Sequence, residues 1–239
     1  MDINQNYYER FSRTSLLIGK ENLEKLFRSK VLVVGLGGVG SYAFEALVRA
    51  GVGTVHIIDF DAIEISNCNR QLLALGSTIG IPKVDVAEKR AKDINPDVII
   101  NKNTIRITPD NVHELIPHDI DFAVDAIDDV DAKTSLITTL LGSHIPFISC
   151  MGAAHACNPE SLRISDISKT QYCPLARTMR KRLKNIGIAG GFMCVYFHEE
   201  RTGSTTNFST NNTRGSLSYM PGIMGLAAAG YAINFLMGR

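Results

Sequence analysis

The chain has 239 residues, of which 45% are hydrophobic and 21% charged, and its net charge is +1. That mix suits a globular protein with one sizeable core, and it excludes a whole-molecule field that would draw the chain to nucleic acid or membrane. Any such binding has to come from a local patch.

The N-terminal MDINQNYYERFSR is polar where a secretory signal needs an apolar centre, so a cytoplasmic location is expected. Up to Lys30 the pattern is helical, with Leu23, Leu26 and Phe27 at i, i+3 and i+4. VLVVG (31–35) is a short apolar run ending in glycine, as in a strand buried on both faces. SYAFEALVRAG then has helical spacing, a Glu45–Arg49 i,i+4 pair and Gly51 as a stop. TVHIID (54–59) is a second strand, Lys83 to Ile94 a helix closed by Asn95-Pro96, and VIINKNTI an apolar–polar run. DFAVDAID (121–128) and PFISCMG (146–152) are further strands around a helical stretch.

This alternation predicts an α/β fold: a Rossmann-like, mostly parallel sheet with helices on both faces. After Gly152 the texture changes. SLRISDIS (161–168) alternates like an antiparallel strand, and PLARTMRKRLKNIG (174–187) suits a helix with Pro near its start and Gly after it. Residues 203–218 are rich in Ser, Thr, Asn and Gly and suit a mobile loop. Gly215 to Gly238 carries no charge, and about 20 apolar residues would suffice to span a bilayer. Pro221, Asn234 and the interspersed glycines dilute it, so a buried terminal helix is expected and no membrane span. The organisation predicted is a single domain over 1–239. Residues 1–30 form a helical arm, 31–153 a nucleotide-binding core, and 154–239 a part for substrate binding and dimerisation.

Gly35-Leu36-Gly37-Gly38-Val39-Gly40 joins the first strand to the first long helix. Glycines there let backbone approach a phosphate, and the helix start offers unpaired N–H donors. Asp59 ends the second strand about 20 residues later, where an acid can accept from ribose hydroxyls. These features fit NAD, FAD, S-adenosylmethionine or ATP alike. Asn69, Arg70 and Gln71, and Lys83 after Ile81-Pro82, tilt the balance towards ATP. Displacing pyrophosphate spreads negative charge that needs donors already in place. Asp128, at the end of DAIDD, is placed to hold a Mg²⁺ ion bridging ATP phosphates.

GLGGVG, the Asp59-x-Asp61 pair, SNCNRQ, the I-P-K lysine and DAIDD in this order resemble the ubiquitin-activating superfamily. The resemblance implies that Gly38 and its neighbours contact nucleotide, with Asp61 in the same site. It further implies that Asp59 contacts ribose, that Asn69, Arg70 and Lys83 contact phosphate, and that Asp128 acts through Mg²⁺. RFSRT resembles a family segment whose arginine reaches a partner subunit's site, which implies a homodimer with Arg13 in that role. A cysteine desulfurase or sulfur-acceptor partner is a further implication.

Sulfur-carrier activators commonly carry two C-x-x-C pairs, whereas Cys68, Cys150, Cys157, Cys173 and Cys194 form none, which also argues against structural zinc or a disulfide framework. Between Ile167 and Ile188 there is no acid, but Lys169, Arg177, Arg180, Lys181, Arg182 and Lys184 are basic. With Leu175, Met179, Leu183 and Ile186 as the apolar stripe, the remaining surface of this helix suits an anionic partner, tRNA foremost. DISKTQYCPLARTMRKRLKNIGI also resembles the tRNA threonylcarbamoyladenosine dehydratase branch. That resemblance implies ATP-dependent adenylation of the threonyl carboxylate beside the anticodon and closure of a hydantoin-type ring. The alternative is adenylation of the C-terminal glycine of a ubiquitin-like sulfur carrier.

Overall fold

The computed structural model describes residues 3–200 and 215–239, so residues 203–214 of the predicted loop lie outside the described residues. Ahead of the sheet come three short helices, α1 (Gln5–Arg10), α2 (Ser12–Ile18) and α3 (Lys20–Arg28). The Asn4 side chain caps α1 by accepting from the Tyr7 N–H, and Gly19, at φ +85°, turns the chain between α2 and α3. Tyr7 is buried against Phe11 and Phe27 and donates its hydroxyl to the Gly51 carbonyl at 2.5 Å. The Gly53 N–H is bonded to Leu26 O at 3.1 Å. The segment expected to be an arm is therefore docked, at the end of the sheet where the second strand begins.

The strands are β1 (Lys30–Val34), β2 (Thr54–Ile58), β3 (Ile99–Asn103), β4 (Phe122–Asp125), β5 (Phe147–Cys150), β6 (Leu162–Asp166) and β7 (Met193–Phe197). They form one seven-stranded sheet in the order β3-β2-β1-β4-β5-β7-β6. All neighbours are parallel except β6, which runs antiparallel to β7. Central β4 and β5 are buried along their whole length, which explains their unbroken apolar runs. The run expected over 121–128 stops at Asp125, leaving Ala126–Asp128 as a loop.

Helices cover both faces. α4 (Gly40–Ala50), α5 (Lys83–Ile94) and α9 (Tyr219–Leu236) pack with the side of the sheet bearing Val31, Val33, Val55 and Ile57. α6 (Val112–Leu115), α7 (Val130–Gly142) and α8 (Pro174–Asn185) pack with the side bearing Leu32, Val34 and Ile58. α9 is the predicted buried terminal helix, and it lies so close to α4 that a Cβ on Gly225 would fall 2.2 Å from Val39 O. Among the described residues no helix is long and apolar enough to cross a membrane. In α8 the buried stripe is Ala176, Met179 and Leu183, whereas Ile186, expected in it, is 55% exposed because the helix ends at Asn185 and Ile186 is its C-cap.

The strand order reverses between β1 and β4. In an open parallel sheet such a reversal opens a crevice beyond the carboxyl ends of the strands, because the connections leave to opposite faces. The glycine loop after β1 and the Ala126–Asp128 loop after β4 are its two walls.

Candidate active site

The glycine loop owes its shape to contacts that no side chain would survive. Gly35 has φ +88°, and a Cβ there would lie 2.8 Å from Ala126 O. A Cβ on Gly40 would lie 1.7 Å from Gly35 O, so the chain doubles back before α4 begins. Gly38 faces Pro221 and Arg70, whose Cγ would be 3.4 Å from an added Cβ, and Gly37 looks out with only the Gln71 amide near it. No side chain caps α4 at Val39. The loop and helix start therefore present backbone to an incoming anion, and Arg70 lies across them.

Asp59 sits just past β2 and organises this loop. Its Oδ2 accepts from the Leu36 N–H at 2.6 Å and its Oδ1 from the Asp61 N–H at 2.9 Å. Burial raises its pKa above the ordinary carboxylate value, opposed by the nearby Lys83 charge and those two N–H bonds. Lys83, at the start of α5, is itself buried, with Nζ 2.7 Å from Asp61 Oδ2 and 3.7 Å from Asp59 Oδ1. The structure thus brings Asp59, Asp61 and Lys83 together as one cluster. In it the lysine is paired with two acids.

Asn69 and Arg70 follow a 3-10 turn over Ile65–Asn67. Arg70 Nη1 donates to Ser66 O and Asn69 Oδ1, both at 2.9 Å, while Asn69 Nδ2 reaches Ser216 O at 3.2 Å. None of these acceptors is a carboxylate, so among the described residues Arg70 has no acid to offset its charge beside the glycine loop. Gln71 is buried, and its Oε1 has no partner among the described residues.

The far wall of the crevice rests on a pair of fully buried charges. Lys133 in α7 and Asp125 at the end of β4 are both 0% exposed, with Nζ 2.8 Å from Oδ2. Lys133 also donates to Ile127 O at 2.9 Å and Cys150 O at 2.7 Å, and Ser149 donates to Asp125 Oδ2 at 2.6 Å. Asp128 projects from the loop so fixed and is exposed. Sequence reasoning picked Asp128 and missed the pair beneath it. The signal was present: Lys133, Leu136, Ile137 and Leu140 share helical spacing, so a lysine occupies an otherwise apolar buried face.

The remaining predicted residues lie elsewhere. Arg13 is exposed on α2, whose neighbours are docked at the amino edge of the sheet, so within one chain it is not brought to the crevice. In α8 and the turn before it, Lys169, Arg177, Lys181 and Lys184 are exposed cations. Two others depart from the expectation of a freely basic surface. Arg180 turns inward to donate to the Thr170 hydroxyl, and Arg182 pairs with Asp131 of α7 at 2.6 Å. For Arg182 the cause is tertiary: α8 packs on α7, which supplies the acid that the sequence of α8 lacks.

Residues 11–239 match the ThiF family. The chain belongs to that family. It is 43% identical over 189 residues to tRNA threonylcarbamoyladenosine dehydratase of Bacillus subtilis, covering 79% of this chain and 74% of that one. A crystal structure of the Escherichia coli tRNA N6-threonylcarbamoyladenosine dehydratase with AMP superposes with a TM-score of 0.92 at 31% identity, covering 100% of this chain and 98% of that one. The same enzyme with ATP gives a TM-score of 0.91, again at 31% identity with 100% and 98% coverage.

The buried pair yields a prediction. Lys133→Ala leaves the buried Asp125 without its cation, so urea unfolding should show a loss of about 3–5 kcal/mol. A Lys133→Met/Asp125→Leu double variant should recover much of that loss. Equal stability of Lys133→Ala and the parent would contradict the account.

Proposed function

We propose that the chain uses ATP to cyclise N6-threonylcarbamoyladenosine next to the anticodon of tRNA. One observation carries the reading: the chain superposes over its whole length on an ATP-bound dehydratase of that specificity. The local chemistry supports it. The glycine loop and Arg70 suit the phosphates, and Asp59 is at the end of β2 where a ribose would be held. Lys83, released from Asp61 by the triphosphate, would steady charge on the α-phosphate and leaving pyrophosphate.

In this scheme a threonyl carboxylate oxygen attacks the α-phosphorus, the bond to pyrophosphate breaks, and an acyl-adenylate forms. A urea nitrogen of the same side chain then attacks the acyl carbon. Its proton leaves, the bond to AMP breaks, and the ring closes with net loss of one water. Attack within one molecule makes the second step favourable without an enzyme thioester. Asp128, an exposed carboxylate at the crevice, fits a Mg²⁺ ion, which takes one or two carboxylates and completes its shell with phosphate and water oxygens. Bound there, the ion would neutralise charge between the phosphates.

Lys169, Arg177, Lys181 and Lys184 form the surface offered to the tRNA backbone. The same crevice would serve adenylation of a sulfur carrier's C-terminal glycine; this basic surface favours RNA. A sulfur-acceptor partnership stays with that alternative. The site of action in this reading is the cytoplasm.

With ATP, Mg²⁺ and tRNA bearing the modified adenosine, the chain should release AMP and lower the nucleoside mass by one water. Lys181→Glu/Lys184→Glu should raise KM for tRNA about tenfold or more at low salt and leave ATP affinity unchanged. An unaltered nucleoside mass would refute the reading.

The active form in this proposal is a homodimer in which Arg13 enters the partner's crevice. Leu16 and Leu17, beside Arg13 on α2, are 88% and 82% exposed, an apolar surface that a second copy would cover. Leu16→Glu/Leu17→Glu should sediment as a monomer, with AMP release falling in step; a monomeric parent would disprove the dimer.

A further inference from the structure

The turn that leads into α8 holds an aromatic side chain in a backbone state that aromatic residues avoid. Tyr172 has φ +61°, the left-handed region that glycine or asparagine enters at little cost. The residue is 44% exposed. A large side chain kept there, half in water, implies a use for the ring that outweighs the strain.

The surroundings of Tyr172 fix its position. The His198 ring meets it edge-to-face, with centroids 4.8 Å apart and planes at 89°. His198 follows β7 and bonds through its N–H to Ser161 O at 2.8 Å. The turn is closed by the Cys173 N–H to Gln171 O bond at 2.8 Å and tied to α8 by the bond from Arg180 to Thr170. Among the described residues Tyr172 is only partly covered, so its ring can meet a further planar group.

The location narrows what that group is. β7 runs parallel to β5, so His198 lies at the same carboxyl edge of the sheet as the glycine loop. Counting across β4, β5 and β7, it stands three strands from β1, roughly 15 Å at the usual strand spacing. The flanking exposed charges on the turn and α8 are the cations Lys169 and Arg177. Of the two acids that follow His198, Glu199 is engaged by the N–H groups of Cys157 and Asn158, and Glu200 is exposed. A part-exposed aromatic ring on a turn that also carries exposed cations suits an unpaired base of single-stranded RNA, with the ring stacking and the cations meeting the backbone.

We propose that Tyr172, braced by His198, is a stacking platform for the nucleobase next to the modified adenosine in the anticodon loop. The proposal rests on the tRNA reading above. Stacking one neighbour would splay the loop and leave the modified base free to enter the crevice.

The test titrates the full chain with an anticodon stem-loop that carries the modified adenosine and 2-aminopurine at either neighbouring position. Stacking on Tyr172 should quench the 2-aminopurine at one of those positions. Tyr172→Phe should keep the quench and the affinity. Tyr172→Gly, which relieves the backbone, should lose the quench and bind about tenfold more weakly. Its ATP affinity should be unchanged and its Tm no lower than that of the parent. A quench and a Kd that persist in Tyr172→Gly would overturn the platform and leave the tRNA function standing, as would a lowered Tm with the quench intact. If the parent chain neither binds this RNA nor releases AMP with it, the tRNA reading and the platform fall together.

Discussion

A lysine and an aspartate without access to water hold the working end of this sheet in place. Burying either charge alone would be costly, because the low-dielectric interior replaces little of the lost hydration. The pair is tolerated because it is nearly saturated: Lys133 meets Asp125 and two carbonyls, and Asp125 meets Lys133, Ser149 and the Ile127 N–H. These bonds join the ends of β4 and β5 to the first turn of α7. They also fix the short loop from which Asp128 projects, so the far wall of the crevice is set by the protein's own charges.

The near wall follows a different logic. There Asp59 bonds the glycine loop directly, while Asp61 occupies the Lys83 ammonium and remains half-exposed itself. In the proposed reaction an arriving triphosphate would compete with Asp61 for Lys83, while Arg70 has no carboxylate partner among the described residues. The crevice therefore offers one charge at once and a second by exchange. A rigid wall facing an exchangeable one suits a reaction whose negative charge shifts from carboxylate to pyrophosphate to AMP.

Local regularity made much of this visible in the sequence. α5 runs from Lys83 to Ile94 as its spacing predicts, since Pro82 and Asn95-Pro96 set its ends by backbone chemistry alone. The alternation of 161–168 located β6 for the same reason. What escaped depends on partners far along the chain. Arg182 looked free because its acid is Asp131, on another helix. Lys133 drew no notice because its role needs Asp125 and the Cys150 carbonyl, neither of them near it in sequence. Tyr172 has no motif, and only its φ and the ring of His198 set it apart.

The central claim is that the carboxylate of the modified adenosine is activated as an acyl-adenylate. Its oxygen balance offers a direct test, because ring closure by this route leaves one carboxylate oxygen on AMP. With substrate labelled by ¹⁸O in the threonyl carboxylate, the AMP released in a single turnover should carry one ¹⁸O in its phosphate. Unlabelled AMP alongside cyclised product, or label in inorganic phosphate with ADP formed, would contradict the account.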